Sequence, residues 1–269
     1  MELARELIII PDIHGRTFWK DAIPYIQDGT PIVFLGDYLD PYDCEGITSE
    51  MALTNFKEIL EVTKDKDNVF LLIGNHDCTY IWPEANICEC RTDYKHFEDI
   101  QDLFKENLDR FHLYIYFELI GYGHNYLFSH AGIHPYWLQK LTKVVPYKAC
   151  SNIYHVLDVL DQNIDQNDPT ALKFLGEMSY MREGRAEAGS CVWADIQEFR
   201  EPLIPDNKYL QVVGHTQQLK QEKTDKGFKW VPNKPVQVNN VICLDCHDCF
   251  YVDSEGDIRF LKDDKLATN

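Results

Sequence analysis

Five short blocks along this chain carry the residue types that hold metal ions. They are Asp12-Ile13-His14-Gly15, Gly36-Asp37-Tyr38-Leu39-Asp40, Gly74-Asn75-His76-Asp77, Ser129-His130-Ala131-Gly132 and Gly214-His215-Thr216. Asp12, His14, Asp37, Asn75, His130 and His215 together offer enough oxygen and nitrogen for two divalent cations. A set that mixes carboxylate, imidazole and amide suits Mn, Fe or Zn better than Mg or Ca, which favour oxygen alone. Two adjacent cations activate water and clamp a phosphate. The blocks therefore speak for phosphoester hydrolysis and say less about which ester is cleaved.

For donors between positions 12 and 215 to meet, the elements between them must deliver all of them to one edge. Leu7 to Pro11 reads as a strand running into the first block, followed by an amphipathic stretch from Thr17 to Gln27. Pro31 to Leu35 and Val69 to Ile73 are apolar strands that end at Gly36-Asp37 and Gly74-Asn75. Between them Thr48 to Lys64 has helical spacing at Met51, Leu53, Phe56, Ile59, Leu60 and Val62, with Thr48 and Ser49 as caps. Short, fully apolar strands in a βαβαβ order predict a parallel sheet covered on both faces, with its ligands past the carboxyl ends of the strands. Gly or Ser before the donor in four of the blocks permits the close turns this requires.

The pattern changes at Thr79 to Arg110. Trp82-Pro83 and the nearby cysteines read as irregular and His96 to Asn107 as helical, an insertion near the site mouth. Phe111 to Leu119 and Asn125 to Ser129 flank Gly121-Tyr122-Gly123 like a hairpin. Pro135 to Gly176 reads as mostly helical, with breaks at Pro146 and Pro169. Tyr209 to Val213, Val236 to Leu244, Cys249 to Asp253 and Ile258 to Leu261 read as later strands. The fold class is α/β, a layered αββα sandwich with a mainly helical insertion near the active site. We expect one domain over residues 1–269, with 79–110 and 136–190 as cap or insert segments.

Composition bounds the partners. The 269 residues are 45% hydrophobic and 26% charged, which suits a globular chain with a sizeable core. No apolar run has the length of a signal-peptide core or a membrane span, so we expect a cytoplasmic protein without a membrane partner. A net charge of −18 repels nucleic acid and leaves the attraction of phosphate to bound cations. Nine cysteines, an odd number, suggest reduced thiols. Cys243, Cys246 and Cys249 have a spacing that zinc or an iron–sulfur cluster could use, but no fourth cysteine follows closely, and buried inert thiols are the better expectation. Cys88 and Cys90, with Cys78 nearby, are a weaker metal candidate.

In order and spacing the five blocks resemble those of the calcineurin-like metallophosphoesterases. They are most similar to the branch of phosphoprotein (Ser/Thr) phosphatases and bacterial diadenosine tetraphosphate hydrolases. The resemblance spans positions 12 to 216, and core strands extend it to about residue 253. It implies that Asp12, His14 and Asp37 hold a first metal, and that Asp37 bridges to a second completed by Asn75, His130 and His215. It implies further that His76 is the proton donor, that Asp40 orients it, and that Asp77 is structural. The chain departs from the phosphatase pattern after Asp40, where Pro41-Tyr42 replaces an arginine that grips phosphate. Arg182, and next to it Arg185, are the substitutes suggested by the nearby Trp193-Ala194-Asp195 stretch. Gln217 stands where broader members carry a further histidine.

Independent chemistry agrees with these roles. A cation lowers the pKa of bound water from about 15.7 to about 7, on the order of 10 kcal/mol toward hydroxide that attacks phosphorus in line. The leaving alkoxide needs a proton, which an imidazole held beside a carboxylate can give. The expected activity is hydrolysis of phosphate monoesters, with two divalent ions as cofactors, Mn being the ion expected to support it in vitro. The substrate would be a phosphoprotein or a small phosphoester or nucleotide. Hydrolysis of dinucleoside polyphosphates such as diadenosine tetraphosphate is the alternative, and a non-catalytic binding scaffold is the alternative of another class. His112, His124, His134 and His247 are expected to be structural or surface residues. Trp82, Tyr38 and Tyr42 are expected to pack, with a role at the mouth as the alternative.

Overall fold

The computed structural model describes residues 7–88, 91–118, 125–144, 150, 152–200, 209–224 and 227–262. Met1 to Glu6, Cys90, Leu119, Gly121-Tyr122-Gly123, His124 and Pro146 lie outside them.

Strand β1 (Leu7–Ile10) is buried at every position, because its two faces meet different cores. Leu7 and Ile9 point into the core between two sheets, while Ile8 and Ile10 point into the core beneath the helices. The chain continues through α1 (Ile23–Asp28), β2 (Ile32–Phe34), α2 (Ser49–Val62), β3 (Val69–Leu72), α3 (Asn75–Ile81), α4 (Phe97–Asn107) and β4 (Phe111–His112). β1, β2, β3 and β4 pair in that order, all parallel. Helix α2 starts where Thr48 Oγ1 accepts the Met51 N–H at 3.2 Å. It buries Ala52, Leu53, Phe56, Ile59 and Leu60. Met51, expected on that apolar face, is exposed.

The second sheet is built from β5 (Tyr114–Glu118), β6 (Asn125–Ser129) and β7 (Tyr209–Val213), with α5 (Pro135–Leu141), α6 (Ile153–Asp165) and α7 (Pro169–Leu175) between the last two strands. After the hairpin β8 (Leu219–Thr224) and β9 (Gly227–Pro232), β10 (Val236–Val238) and β11 (Val241–Cys243) complete it in the order β10-β11-β7-β6-β5. β12 (Phe250–Val252) and β13 (Ile258–Phe260) return to the first sheet beside β1. Side chains such as Val33, Leu72, Phe128 and Val212 fill the space between the sheets. Helix α6 lies on the second sheet, with the Tyr154 ring 4.5 Å from that of Tyr116 and Tyr114 Oη donating to Asp158 at 2.5 Å. This is an α/β sandwich of two main sheets. Among the described residues no helix is long and apolar enough to cross a membrane.

Three sequence expectations change. Phe111 to Leu119, read as one strand, is two: the chain leaves the first sheet after His112 and joins the second at Tyr114, with buried Leu113 between. Both pieces are apolar, so periodicity could not show the crossing. Val236 to Leu244 is likewise not one strand but β10 and β11 folded about Asn239, whose φ of 51° asparagine tolerates. The hairpin β8–β9 adds two strands that the sequence pattern does not signal, because the run Lys-Gln-Glu-Lys-Thr lacks an apolar face.

The parallel strands β1, β2 and β3 of one sheet and β6, β7 and β11 of the other end near one another. Every block identified in the sequence begins at the end of one of the first five of these strands or within two residues of it.

Candidate metal centre

Asp37 is the hinge of the site. After β2 the chain turns back through Gly36, whose added Cβ would fall 2.5 Å from the Gly74 nitrogen, so only glycine lets the β2 and β3 ends touch. Asp37 Oδ1 accepts the His76 N–H at 3.0 Å, and Asp77 holds the turn by accepting the N–H groups of Asp37, Tyr38 and Gly74. Asp37 Oδ2 is then left facing His14 Nε2 and His130 Nε2, each at 3.4 Å. His14 Nδ1 donates to Leu39 O at 2.8 Å and His130 Nδ1 to Leu35 O at 2.7 Å. Each bond commits Nδ1 to a carbonyl, so that Nε2 is the nitrogen turned inward, the arrangement found around metal-bound histidines.

The remaining donors close on the same point. His130 Nε2 lies 3.0 Å from Asn75 Oδ1 and 3.1 Å from His215 Nδ1. Asp12 accepts the His215 N–H at 2.9 and 3.0 Å, a contact tight enough that a Cβ on Gly214 would lie 1.9 Å from Asp12 Oδ1. His14, Asp37, Asp40 and His215 all have positive φ, between 42° and 64°. Such non-glycine residues cost on the order of 1–3 kcal/mol each, and they cluster where function over-determines the backbone.

His76 stands apart from the other imidazoles of the site in pairing one ring nitrogen with a carboxylate outside the metal-donor set and the other with a guanidinium. Nδ1 faces Asp40 Oδ2 at 2.9 Å, and Nε2 faces Arg91 Nη2 at 3.1 Å. Asp40 is itself oriented by the Tyr80 hydroxyl, which donates to Oδ1 and accepts the Asp93 N–H at 2.8 Å. Tyr80 and Asp93 extend the pair His76–Asp40 into a buried chain of hydrogen bonds that the sequence had not indicated.

The electrostatics have the form of a centre that wants positive charge. Burial opposes ionisation of Asp37, yet the imidazoles of His130, His76 and His14 hold its carboxyl well below the usual range. Burial pushes Asp12 up to about 6. Burial would neutralise His130, but Asp37 and Asp12 outweigh it and raise the imidazole to about 9. Burial keeps His14 and His215 well below the ordinary histidine value, so both are neutral near pH 7. In the metal-free protein the His130 proton on Nε2 supplies the positive charge among these acceptors, and a cation among Asp37, His14, Asn75 and His130 would take its place. Asp37 belongs to two donor groups, one with His14 and His76 and one with His130 and His215. These residues could hold divalent ions, and their chemistry fits them.

Arg182 and Arg185 part company. Arg182 reaches the rim: Nη2 donates to Thr216 Oγ1 at 2.8 Å, next to His215, and Nε lies 3.0 Å from Asp195 Oδ2. Arg185 is exposed and makes neither contact. Tyr38 and Trp82 are buried in the core, but Tyr42 is at the site, its ring edge-on to His14 with centroids 5.0 Å apart. His134 caps α5 by accepting the Tyr136 N–H. Cys243, Cys246 and Cys249 are buried and form no disulfide, burial raises the thiols of Cys243 and Cys246, and no group of donors among the described residues includes the three.

Two residues of the site escaped the sequence reading. Arg91 comes from the insertion. Asp245 follows β11 as Asp12 follows β1, two residues past a parallel strand end. It is fully buried with no hydrogen-bond partner on either carboxylate oxygen, and burial followed by repulsion from Asp12 holds its pKa well above normal. Cys243-Leu244-Asp245-Cys246 carries the signal, but its cysteine spacing suggests a different site and the apolar run from Val236 conceals where β11 starts.

An α/β sandwich with carboxylate, imidazole and amide donors gathered past its parallel strand ends is a metal-binding hydrolase in its construction. The sequence model of the calcineurin-like phosphoesterase family matches residues 6–238, and the chain belongs to this family of metal-dependent phosphoester hydrolases. No curated protein matches the chain at a significant level.

Proposed function

We propose that this phosphoesterase hydrolyses phosphate monoesters, in the manner of protein Ser/Thr phosphatases, at a centre of two divalent ions, with manganese as the ion that supports activity in vitro. The observation that carries the proposal is the position of Asp37 Oδ2, 3.4 Å from both His14 and His130 and shared by two donor groups. Asp12, His14 and Asp37 would hold one ion, and Asp37, Asn75, His130 and His215 the other. When bound, the ions supply activated water and a clamp on phosphate oxygens. The protein's own work is to hold donors rigid through strained turns and backbone hydrogen bonds, and to give the leaving oxygen a proton from His76. Asp40 sets the His76 tautomer and stabilises its charged form. The segments 79–110 and 136–190 would wall the substrate mouth. A scaffold without catalysis would have no use for an assembled donor set beside a His76–Asp40–Tyr80 chain.

The test is Asp37→Asn, which keeps the shape and removes the shared charge. Metal content should fall below that of the wild type, and hydrolysis of an aryl phosphate with Mn should drop by at least about 100-fold, since even outer partners of metal ligands are worth 10–100-fold. Unchanged metal content with full activity would refute the shared-carboxylate centre. A parallel panel of phosphopeptides, nucleotides and dinucleoside polyphosphates separates monoester from polyphosphate hydrolysis.

A further inference from the structure

The chain lacks an arginine after Asp40, yet a guanidinium lies beside the Asp40–Tyr42 turn. Arg91 Nε donates to Asp40 O at 3.1 Å, its guanidinium carbon lies 3.7 Å from the centre of the Tyr42 ring, and Nη2 lies 3.1 Å from His76 Nε2. Tyr42 in turn abuts His14, and the His14 and His76 rings are 5.1 Å apart. Arg91 therefore sits over the donor cluster from an exposed position, on a backbone with φ of 61° that a residue of its kind rarely adopts. A strained backbone that aims a cation into a site is an outlier with a use.

The other cations nearby are committed. Arg16 is locked on Glu45 by two 2.7 Å bonds, and Arg182 is engaged with Asp195 and Thr216. Arg91 spends its contacts differently. Because Asp40 only accepts, His76 Nδ1 carries a proton and Nε2 offers a lone pair to Arg91. Its terminal Nη2 lies beside His76, the residue that would serve the leaving oxygen, and the phosphoryl oxygens share one phosphorus atom with that oxygen. Stacking on Tyr42 and the bond to Asp40 O keep the planar fork pointed there.

Resting on the phosphoesterase function above, we propose that Arg91 is the phosphate-binding residue of this site, carried by the insertion and mounted on Tyr42 in place of an arginine after Asp40.

Full-length protein loaded with Mn is titrated with inorganic phosphate by calorimetry and assayed with an aryl phosphate. Arg91→Ala should weaken phosphate binding and raise KM by about 10- to 100-fold, the worth of a charge-assisted contact. Arg91→Lys should recover part of the loss, because charge survives and the fork does not. Bound metal and the melting temperature should match the wild type in both variants. Arg182→Ala should weaken phosphate less than Arg91→Ala. Unchanged phosphate affinity in Arg91→Ala, a loss explained by missing metal, or a larger effect from Arg182→Ala would each overturn the assignment. Wild-type turnover in the same assay checks the phosphoesterase function separately.

Discussion

Metal uptake should be coupled to loss of a proton from His130. With its Nδ1–H committed to Leu35 O, the imidazole can bind a cation only through Nε2, the nitrogen that carries the proton in the metal-free protein. Asp37 and Asp12 raise that site to about 9 despite burial. The sign follows: below about 9 the proton occupies the cation's place, so affinity falls as pH falls. At pH 8 the competition weakens binding about 10-fold and at pH 6 about 1000-fold, a difference of about 100-fold, or roughly 2.7 kcal/mol. His14 and His215, held neutral by burial, add nothing in this window. Asp12, raised to about 6, adds a second proton only at the acid end. Titrating Mn into chelator-treated protein at pH 6 and 8, in buffers of different ionisation enthalpy, measures both affinity and protons released. The expected result is a slope of about one log unit per pH unit and about one proton released near pH 7. His130→Ala should weaken binding and also flatten the slope. A pH-independent affinity, or the same slope without His130, would refute the reasoning.

Replacing His76 by Asn should cost about 100- to 10,000-fold on alkyl phosphates, whose leaving groups need a proton, and far less on activated aryl esters; steady-state rates on both substrates decide it, and equal losses would deny the proton-donor role. Asp245→Asn should act in opposite directions on the two states of the protein. Its folded pKa is raised, so the metal-free fold loses stability above the unfolded carboxyl value, and the neutral amide removes that loss. Melting of the metal-free variant at pH 7 should therefore rise, while its Mn affinity falls. Loss of stability in the metal-free form would show that Asp245 is a structural acid with no part in the centre.

Much of the candidate site is legible in the amino-acid sequence. The donors sit in short blocks, each tied to a strand end by local chemistry: the glycine turns and the alternation of the buried strands are properties of neighbouring residues. The α/β sandwich followed for the same reason, since unbroken apolar strands between amphipathic helices have one economical way to be covered. Local pattern failed where two elements share one pattern. Phe111 to Glu118 changes sheets at Leu113 without any change in hydrophobicity, and β10 and β11 hid inside a single apolar run.

The amino-acid sequence by itself determined which donors exist, in what order, and which reaction they suit. The tertiary structure alone decided what surrounds them. Arg91 lies 51 positions from the carbonyl it binds, and no periodicity links it to Asp40 or His76. Tyr80 and Asp245 join the site for the same reason, through the meeting of strand ends and an insertion. Contacts made across space depend on how separate elements pack, and that information is spread over the whole chain, beyond any single motif.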